Sequence, residues 1–231
     1  METPGRNRPW VQFYKCVTMG DEAVGKSCLL LRFMGKKFRP ELDATVGIDA
    51  DQRIISIDDK PTKFQIWDPA GEESRRFCTS RGLYRGAAAA ILVYDITRVL
   101  LVCCLTNPSN RRETFDHIGR WLKEAEELAP PNLTTILVGN KCDLSHERAV
   151  SYEEGQEFAE KHGLIFMESS AKNNQNVEEV TVRSSLETKR PHHLVMQAFF
   201  TAARTVSKKS EDGVLHPSAE VGLFITTRTP Y

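Results

Sequence analysis

The chain has 231 residues, of which 40% are hydrophobic, so it can bury the core of one α/β domain with additional segments. Its 31 Lys and Arg residues balance its 31 Asp and Glu residues, so bulk charge favours neither nucleic acid nor an anionic membrane as a partner. Residues 1–10 lack the apolar core of a signal peptide, and no apolar run reaches membrane-spanning length. The six cysteines have no zinc-ligand or redox spacing, which is typical of a reducing compartment.

Apolar, strand-like runs alternate with amphipathic helical patterns along the chain, which indicates an α/β fold with helices on both faces of a sheet. The predicted strands are residues 15–19, 54–57, 63–67, 88–94, 134–138 and 164–167. Residues 58–61 predict a hairpin, and the apolar spacing over 118–128 predicts a helix. Ser151 and Glu154 have capping-box spacing at the start of a further helix, which Gly163 ends.

Residues 20–27 match the phosphate-binding pattern G-x-x-x-x-G-K-[ST] between a predicted strand and a predicted helix. In that position, backbone N–H groups and the helix N-terminus can wrap a polyphosphate. Lys26 would contact the terminal phosphates, and Ser27 would ligate Mg²⁺. The predicted nucleotide-binding residues here are Gly20, Asp21, Glu22, Ala23, Val24, Gly25, Lys26, Ser27 and Cys28.

Two later motifs predict that the base is guanine. The carboxylate of Asp143 in the N-K-x-D motif can accept from N1–H and the 2-amino group of guanine, whereas adenine would leave it unpaired. In the same motif, Lys141 would lie over the base plane and Asn140 would tie this loop to the phosphate loop. The third loop contains Ser170, Ala171 and Lys172, and we expect the Ala171 N–H to contact guanine O6.

A D-x-x-G element and two loop residues complete the predicted site. Asp68 would hold Mg²⁺ through water, and the Gly71 N–H would contact a γ-phosphate. Thr45 lies where it can bind both Mg²⁺ and the γ-phosphate, and Phe38 can pack edge-on against the base. The predicted metal residues are Ser27, Thr45 and Asp68.

The chain resembles the Rab family of Ras-superfamily small GTPases, nearest to the Rabs of the early secretory pathway. The segments most similar to Rab sequences are residues 83–87, 92–97, 139–144 and 176–179. The resemblance implies a P-loop domain with a mixed six-stranded sheet, GTP or GDP with Mg²⁺ as ligands, and a switch role in vesicle trafficking. It also implies a guanine nucleotide exchange factor, a GTPase-activating protein and effectors as partners. The catalytic residues it implies are Lys26, Thr45, Gly71 and Glu72.

The sequence departs from the Rab pattern around the γ-phosphate. Glu72 replaces the usual glutamine that orients the attacking water, and it cannot donate to the γ-phosphate. Glu22 and Ala23 replace a small or hydroxylated residue followed by glycine. Because Glu22 and Glu72 add negative charge beside the terminal phosphate, we predict GTP hydrolysis that is slow or resistant to a GTPase-activating protein, and weaker binding of GTP than of GDP is equally consistent.

The effector surface also departs from the family. Pro69 stiffens the start of the second switch. Rabs usually carry Phe where Ala50 stands and an aromatic residue where Leu83 stands, beside the retained Trp67. Losing two anchors should weaken docking of Rab effectors, and the alternative is a diverged set of Rab effectors.

The resemblance divides the chain into an N-terminal extension (1–13), a small GTPase domain (14–209) and a flexible C-terminal tail (210–231). The last cysteine is Cys142, so the sequence predicts no prenylation. We therefore expect no stable lipid-anchored membrane attachment, a cytoplasmic location, and at most transient association with secretory-pathway membranes.

Two segments interrupt the family pattern, residues 99–111 and 180–197. Pro191 forbids a helix through the second, so the last helix is expected from about 194 to 208. The second segment begins with a residue whose codons start with GT and ends with one whose codon can be CAG, as a spliced intron does. Translated intron and genuine lineage-specific loops both remain open, and sequencing the mature transcript decides between them.

Three functions are compatible with these motifs. The leading hypothesis is a Rab-like GTPase with slow, Mg²⁺-dependent hydrolysis. The alternative is a guanine-nucleotide-binding module without useful turnover, including a mis-spliced Rab. An adenine-specific P-loop kinase or ATPase is disfavoured by Asp143 and by the absence of an arginine-rich lid.

Overall fold

The computed structural model describes residues 12–39, 45, 47–69, 81–97, 113–173 and 194–214. The strands are β1 (Gln12–Met19), β2 (Ile48–Ile57), β3 (Lys60–Pro69), β4 (Ala87–Asp95), β5 (Thr134–Asn140) and β6 (Ile165–Glu168). The helices are α1 (Lys26–Phe33), α2 (Arg81–Tyr84), α3 (Glu113–Asp116), α4 (Ile118–Leu128), α5 (Tyr152–Lys161) and α6 (Leu194–Glu211), with a 3₁₀ helix at Cys142–Glu147.

The six strands form one sheet in the order β2-β3-β1-β4-β5-β6. Strand β2 is antiparallel to β3, and every other neighbouring pair is parallel. A cluster of buried apolar residues covers each face of the sheet, and α1 and α6 pack on one face while α4 packs on the other. The predicted α/β class with a mixed six-stranded sheet is confirmed.

The hairpin is longer than the sequence predicts. Strands β2 and β3 pair over ten residues each, from Ile48 opposite Pro69 to Ile57 opposite Lys60. The turn between them places Asp58 at φ 46° and Asp59 at φ 62°, the left-handed conformation that matches strand twist in a tight hairpin. The predicted strand 54–57 was too short because β2 buries few side chains. Its first half therefore shows no clear alternation of apolar and polar residues.

The helix boundaries follow their end signals closely. The Ser151 side chain accepts from the Glu154 N–H at 3.1 Å, as the predicted capping box requires. Gly163 has φ 65° directly after α5, which is the left-handed geometry of a helix end. Helix α6 begins at Leu194 as expected and ends at Glu211, three residues beyond the predicted end. Among the described helices, none combines the length and apolarity that crossing a bilayer requires.

Several predictions fall outside the described residues. These are the extension before residue 12, the insertion 99–111, the segment 180–193 and the tail beyond residue 214. The origin of the two insertions therefore stays a hypothesis.

The sheet topology brings the predicted motifs to one edge. The phosphate loop follows β1, Asp68 lies near the end of β3, and the N-K-x-D motif overlaps the end of β5. The loop with Ser170 follows β6. Because the carboxyl ends of these parallel strands meet at the same edge, the motifs share one crevice, where ligands bind in open α/β sheets.

Candidate nucleotide-binding site

The phosphate loop is held in shape by two glycines and one lysine. Gly20 and Gly25 have φ of 133° and 95°, and a Cβ on Gly20 would lie 2.2 Å from the Val93 carbonyl oxygen. No other residue type fits there. The buried Lys26 ammonium donates to the carbonyl oxygens of Gly20 at 3.0 Å and Asp21 at 2.6 Å. The loop therefore curls around the lysine that the sequence assigns to the phosphates.

Hydroxyl and carboxylate oxygens converge beside this loop. Ser27 Oγ donates to Asp68 Oδ2 at 2.5 Å and lies 2.7 Å from Thr45 Oγ1. Thr18 Oγ1 donates to the other oxygen, Asp68 Oδ1, at 2.6 Å. The structure thus brings together the three residues that the sequence predicts for the metal.

The charge of Asp68 supports a cation at this position. Burial raises the pKa of Asp68, and hydrogen bonds from Ser27 and Thr18 and the charge of Lys26 only partly offset that effect. A divalent cation would supply the missing positive charge, and Mg²⁺ prefers oxygen ligands of this kind. In the described part of the chain, no three His, Cys, Asp or Glu side chains cluster as metal ligands, so the ligands offered here are one carboxylate and two hydroxyls. These residues fit Mg²⁺.

Asn140 joins the base-recognition loop to the phosphate loop, as predicted. Its Nδ2 donates to the Val24 carbonyl oxygen at 2.7 Å. Its Oδ1 accepts a longer hydrogen bond, 3.4 Å, from the N–H of Ala171 in the third loop. One buried amide therefore fixes three loops relative to one another.

Asp143 is oriented by the third loop. Ser170 Oγ donates to Asp143 Oδ1 at 2.5 Å and accepts from the N–H groups of Lys172 at 3.2 Å and Asn173 at 3.0 Å. One carboxylate oxygen of Asp143 is thus held in place from the side. Such preorganisation is what a carboxylate needs in order to select one base edge.

Lys141 is anchored in a way that the sequence did not reveal. Its backbone is left-handed, with φ 66°, and its ammonium lies 2.6 Å from the buried Asp95 Oδ2 at the end of β4. The other oxygen of Asp95 accepts from Thr97. The ion pair fixes the end of the lysine side chain, and contact between its stem and a base stays a prediction.

Phe38 lies half-buried against the core beside Arg32, whose guanidinium is 6.0 Å from the ring centre. Arg32 also donates to the carbonyl oxygens of Ala171 at 2.7 Å and Lys172 at 3.0 Å. The arginine therefore connects the end of α1 to the third loop and brings Phe38 to the base side of the crevice. Edge-on packing of Phe38 against the base stays a prediction.

The side chain of Asp21 makes contacts that the sequence did not reveal. Its side chain turns away from the loop interior and is hydrogen-bonded to Trp121 in α4 and to His117 before it. Glu22 and Ala23 are exposed at the tip of the loop, and Ala23 has φ 58°. Only the backbone of Asp21 is left to contact a phosphate.

Gly71 and Glu72, which the resemblance assigns to catalysis, lie outside the described residues. Of the three positions expected to form the effector surface, Leu83 is buried in the core at 2% exposure. Trp67 is half-buried opposite Ala50, with the Lys15 ammonium 4.0 Å from its ring centre. The described surface here retains one large apolar anchor, Trp67.

Several functional residues were missed at the sequence level. They are Thr18, Arg32, Asp95, His117 and Trp121. Asp95 carried a detectable signal, because it is the one charged residue in an otherwise apolar strand, whereas the strand that holds Thr18 also contains Lys15. The hydrogen-bond partners of Arg32, His117 and Trp121 at the site are 96 or more residues away in sequence, so local patterns contain no sign of them.

Motifs for phosphate, metal and guanine at one edge of a parallel sheet define a P-loop nucleotide-binding domain of the small GTPase class. The family model described as the Ras family matches residues 15–189. The chain therefore belongs to the Ras family of small GTPases. These proteins bind GTP and GDP, typically with Mg²⁺, hydrolyse GTP, and interact with exchange factors, GTPase-activating proteins and effectors.

Proposed function

We propose that this Ras-family chain is a Rab-like switch in vesicle trafficking that hydrolyses GTP slowly. Guanine selection is carried by one observation: Asp143 is held by Ser170, and Asn140 bridges the same loops to the phosphate loop. The Rab assignment is supported by the similarity of residues 83–87, 92–97 and 139–144 to Rab sequences.

The described residues account for substrate binding and charge stabilisation. Lys26 and the loop N–H groups would hold the β- and γ-phosphates, and Ser27, Thr45 and Asp68 would hold Mg²⁺, which neutralises charge developing on the phosphate oxygens. Water attacks the γ-phosphorus in line with the departing GDP oxygen. Asp143 contributes binding energy far from the reacting bond.

Slow hydrolysis is supported by two carboxylates. Glu22 is exposed at the tip of the phosphate loop, where it would repel negative charge on a terminal phosphate and obstruct an incoming arginine. Glu72 can accept from the attacking water but cannot donate to the phosphate. Because Glu22 is exposed, water screens its charge, and we expect slowed rather than abolished turnover.

Single-turnover hydrolysis tests this proposal. The full chain is loaded with GTP, and phosphate release is timed for wild type, Glu22→Ser, Glu72→Gln and the double variant. We expect both single variants to be faster and the double variant to be fastest. Glu157→Gln, an exposed carboxylate on α5, is the matched control and should match wild type. Rapid wild-type hydrolysis that neither substitution changes would overturn the slow-turnover proposal.

The alternative function is a binding module without useful turnover. The same two carboxylates favour it, since their combined effect sets how slow the reaction is. GTP that stays intact on wild type through the single-turnover experiment, and intact GTP extracted from the purified chain, would support this alternative.

The trafficking role needs a separate experiment. A chain loaded with a non-hydrolysable GTP analogue is compared with Ala50→Phe for binding to Rab effectors and to effectors of other Ras-family branches. Restoring the aromatic residue beside Trp67 should strengthen binding to Rab effectors alone. Equal binding to both groups would contradict the Rab assignment. The predicted location is checked by fractionating cells that express the chain.

A further inference from the structure

Asp21 is a buried carboxylate within the phosphate loop, and its two oxygens are bound from outside the loop. Trp121 Nε1 donates to Oδ1 at 2.7 Å, and His117 Nδ1 lies 2.6 Å from Oδ2. A carboxylate accepts hydrogen bonds, so His117 Nδ1–H is the donor. Arg120 Nη2 is 3.7 Å from Oδ1 and adds positive charge on the same side.

The donors lie on a rigid support. His117 is the residue before α4 and Trp121 lies one turn later, so both face the same way. Trp121 is 5% exposed and Ile118 is fully buried in the core cluster on that face of the sheet.

The same residue connects this support to the lysine of the loop. While the Asp21 carboxylate is bound by α4, its carbonyl oxygen accepts from the Lys26 ammonium at 2.6 Å. The position of Lys26 therefore depends on where Asp21 is held. Releasing the carboxylate would also allow a negative charge to turn towards the phosphates.

We propose that Asp21, His117 and Trp121 form an anchor that positions the phosphate loop and slows nucleotide release. His117 and Trp121 act as positioning residues, because they act through Asp21 and do not contact the phosphates. This inference rests on nucleotide binding by the family and is independent of the hydrolysis rate. A purely structural cluster would affect unfolding and leave the release rate unchanged.

The test measures release of a fluorescent GDP derivative (mant-GDP) from the full chain after addition of excess GDP. His117→Leu removes one donor, and Trp121→Phe removes the other while retaining an aromatic ring. We expect release to become roughly tenfold faster in each, because hydrogen bonds to a buried charge are strong. His117→Asn offers an amide N–H at a similar distance and should return release to within about threefold of wild type. His162→Leu, the same change on the exposed end of α5, should leave release unchanged.

Circular dichroism and thermal unfolding establish that each variant is folded at the assay temperature. His117 is a quarter exposed, so His117→Leu provides a decisive measurement even if Trp121→Phe fails to fold. Unchanged release in a folded His117→Leu chain would overturn the anchor alone. Failure of the wild type to bind mant-GDP would overturn the anchor and the proposed function together.

Discussion

Asn140 occupies the space that a side chain on Gly25 would need: a Cβ on Gly25 would lie 2.4 Å from Asn140 Nδ2. The phosphate loop and the base-recognition loop therefore touch through a glycine on one side and an amide on the other. This contact sets the spacing of the two loops, so we expect a change in either loop to affect binding at both ends of a nucleotide.

Base selection should depend on the carboxylate of Asp143. Asp143→Asn replaces one acceptor oxygen by an NH2 donor, so one of the two guanine donors, N1–H or the 2-amino group, meets a donor instead of an acceptor, and we expect mant-GDP affinity to fall by about 100-fold or more. Glu157→Gln makes the same chemical change on an exposed helix surface and should bind normally. Titrations with mant-GDP and mant-ADP measure both, and an unchanged preference in Asp143→Asn would refute guanine recognition at this residue.

Thr18 should support the Mg²⁺ site without contacting the ion. Its hydroxyl donates to Asp68 Oδ1 at 2.6 Å, so Thr18→Val leaves the carboxylate less well oriented. Loss of such supporting partners typically costs metal affinity about tenfold or more. We expect the Mg²⁺ concentration that half-maximally slows mant-GDP release to rise by that factor.

The matched control for Thr18 is Thr134, which is also buried in a strand. Thr134 Oγ1 makes no hydrogen bond in the described part of the chain, so Thr134→Val should leave the Mg²⁺ dependence unchanged. Addition of EDTA should speed release from wild type and from both variants. Equal Mg²⁺ dependence of Thr18→Val and wild type would count against the supporting role.

Ala23 is a local source of backbone strain. Its φ of 58° costs a residue with a Cβ roughly 1–2 kcal/mol, a penalty that glycine avoids. We predict that Ala23→Gly raises the free energy of unfolding by about 1 kcal/mol, measured by denaturant titration. Ala129→Gly, at an extended position with φ −87°, should give no gain. A destabilised Ala23→Gly chain would show that the strain is relieved in some other way.

The buried ammonium of Lys15 should make stability depend on pH. Burial lowers its pKa from 10.5 to about 8, while its Nζ contacts the carbonyl oxygens of Gly82 and Arg85. Between these two pH values the folded state binds fewer protons than the unfolded state, so the free energy of unfolding rises with pH. Below pH 8 the folded state carries the full free-energy cost of burying the charged ammonium. That cost falls by roughly 1–2 kcal/mol by about pH 10.

Lys15→Met removes this titration and isolates it from other groups. The difference in unfolding free energy between wild type and Lys15→Met should shift in favour of wild type as pH rises through this window. Lys123→Met, which removes an ammonium that is 77% exposed, should show no such shift. Parallel pH curves for wild type and Lys15→Met would contradict the prediction.

The sequence predicted those parts of the fold and site that depend on local patterns. Backbone turns such as the phosphate loop require glycine at fixed positions, and helix ends such as Ser151 require short polar side chains, so both leave signs in sequence. Asn140 and Asp143 were predictable because their roles follow from base chemistry and from their position after a strand.

The unpredicted features depend on distant pairs. Nothing in the local sequence distinguishes Asp21 from an ordinary loop residue, and its contact with Trp121 joins residues 100 positions apart. Likewise, the local sequence around Lys141 predicts an exposed side chain, yet its ammonium is bound by Asp95 at the end of a neighbouring strand. Such pairs are determined by sheet order and packing, which a single sequence does not contain.

Helix α5 packs on the sheet through the hydroxyl of Tyr94, and the space around that hydroxyl has no room for an additional methyl group. A Cβ on Gly155 would lie 2.6 Å from Tyr94 Oη and 2.6 Å from the Phe166 ring, and one on Gly139 would lie 2.8 Å from the same hydroxyl. A methyl group added at either glycine would therefore force the helix, the strand or the tyrosine to shift. Phe166 of β6 packs at the same place, and the loop with Ser170 and Ala171 follows that strand. The position of the predicted guanine-recognition loop therefore depends partly on how closely Tyr94 fits between Gly139 and Gly155.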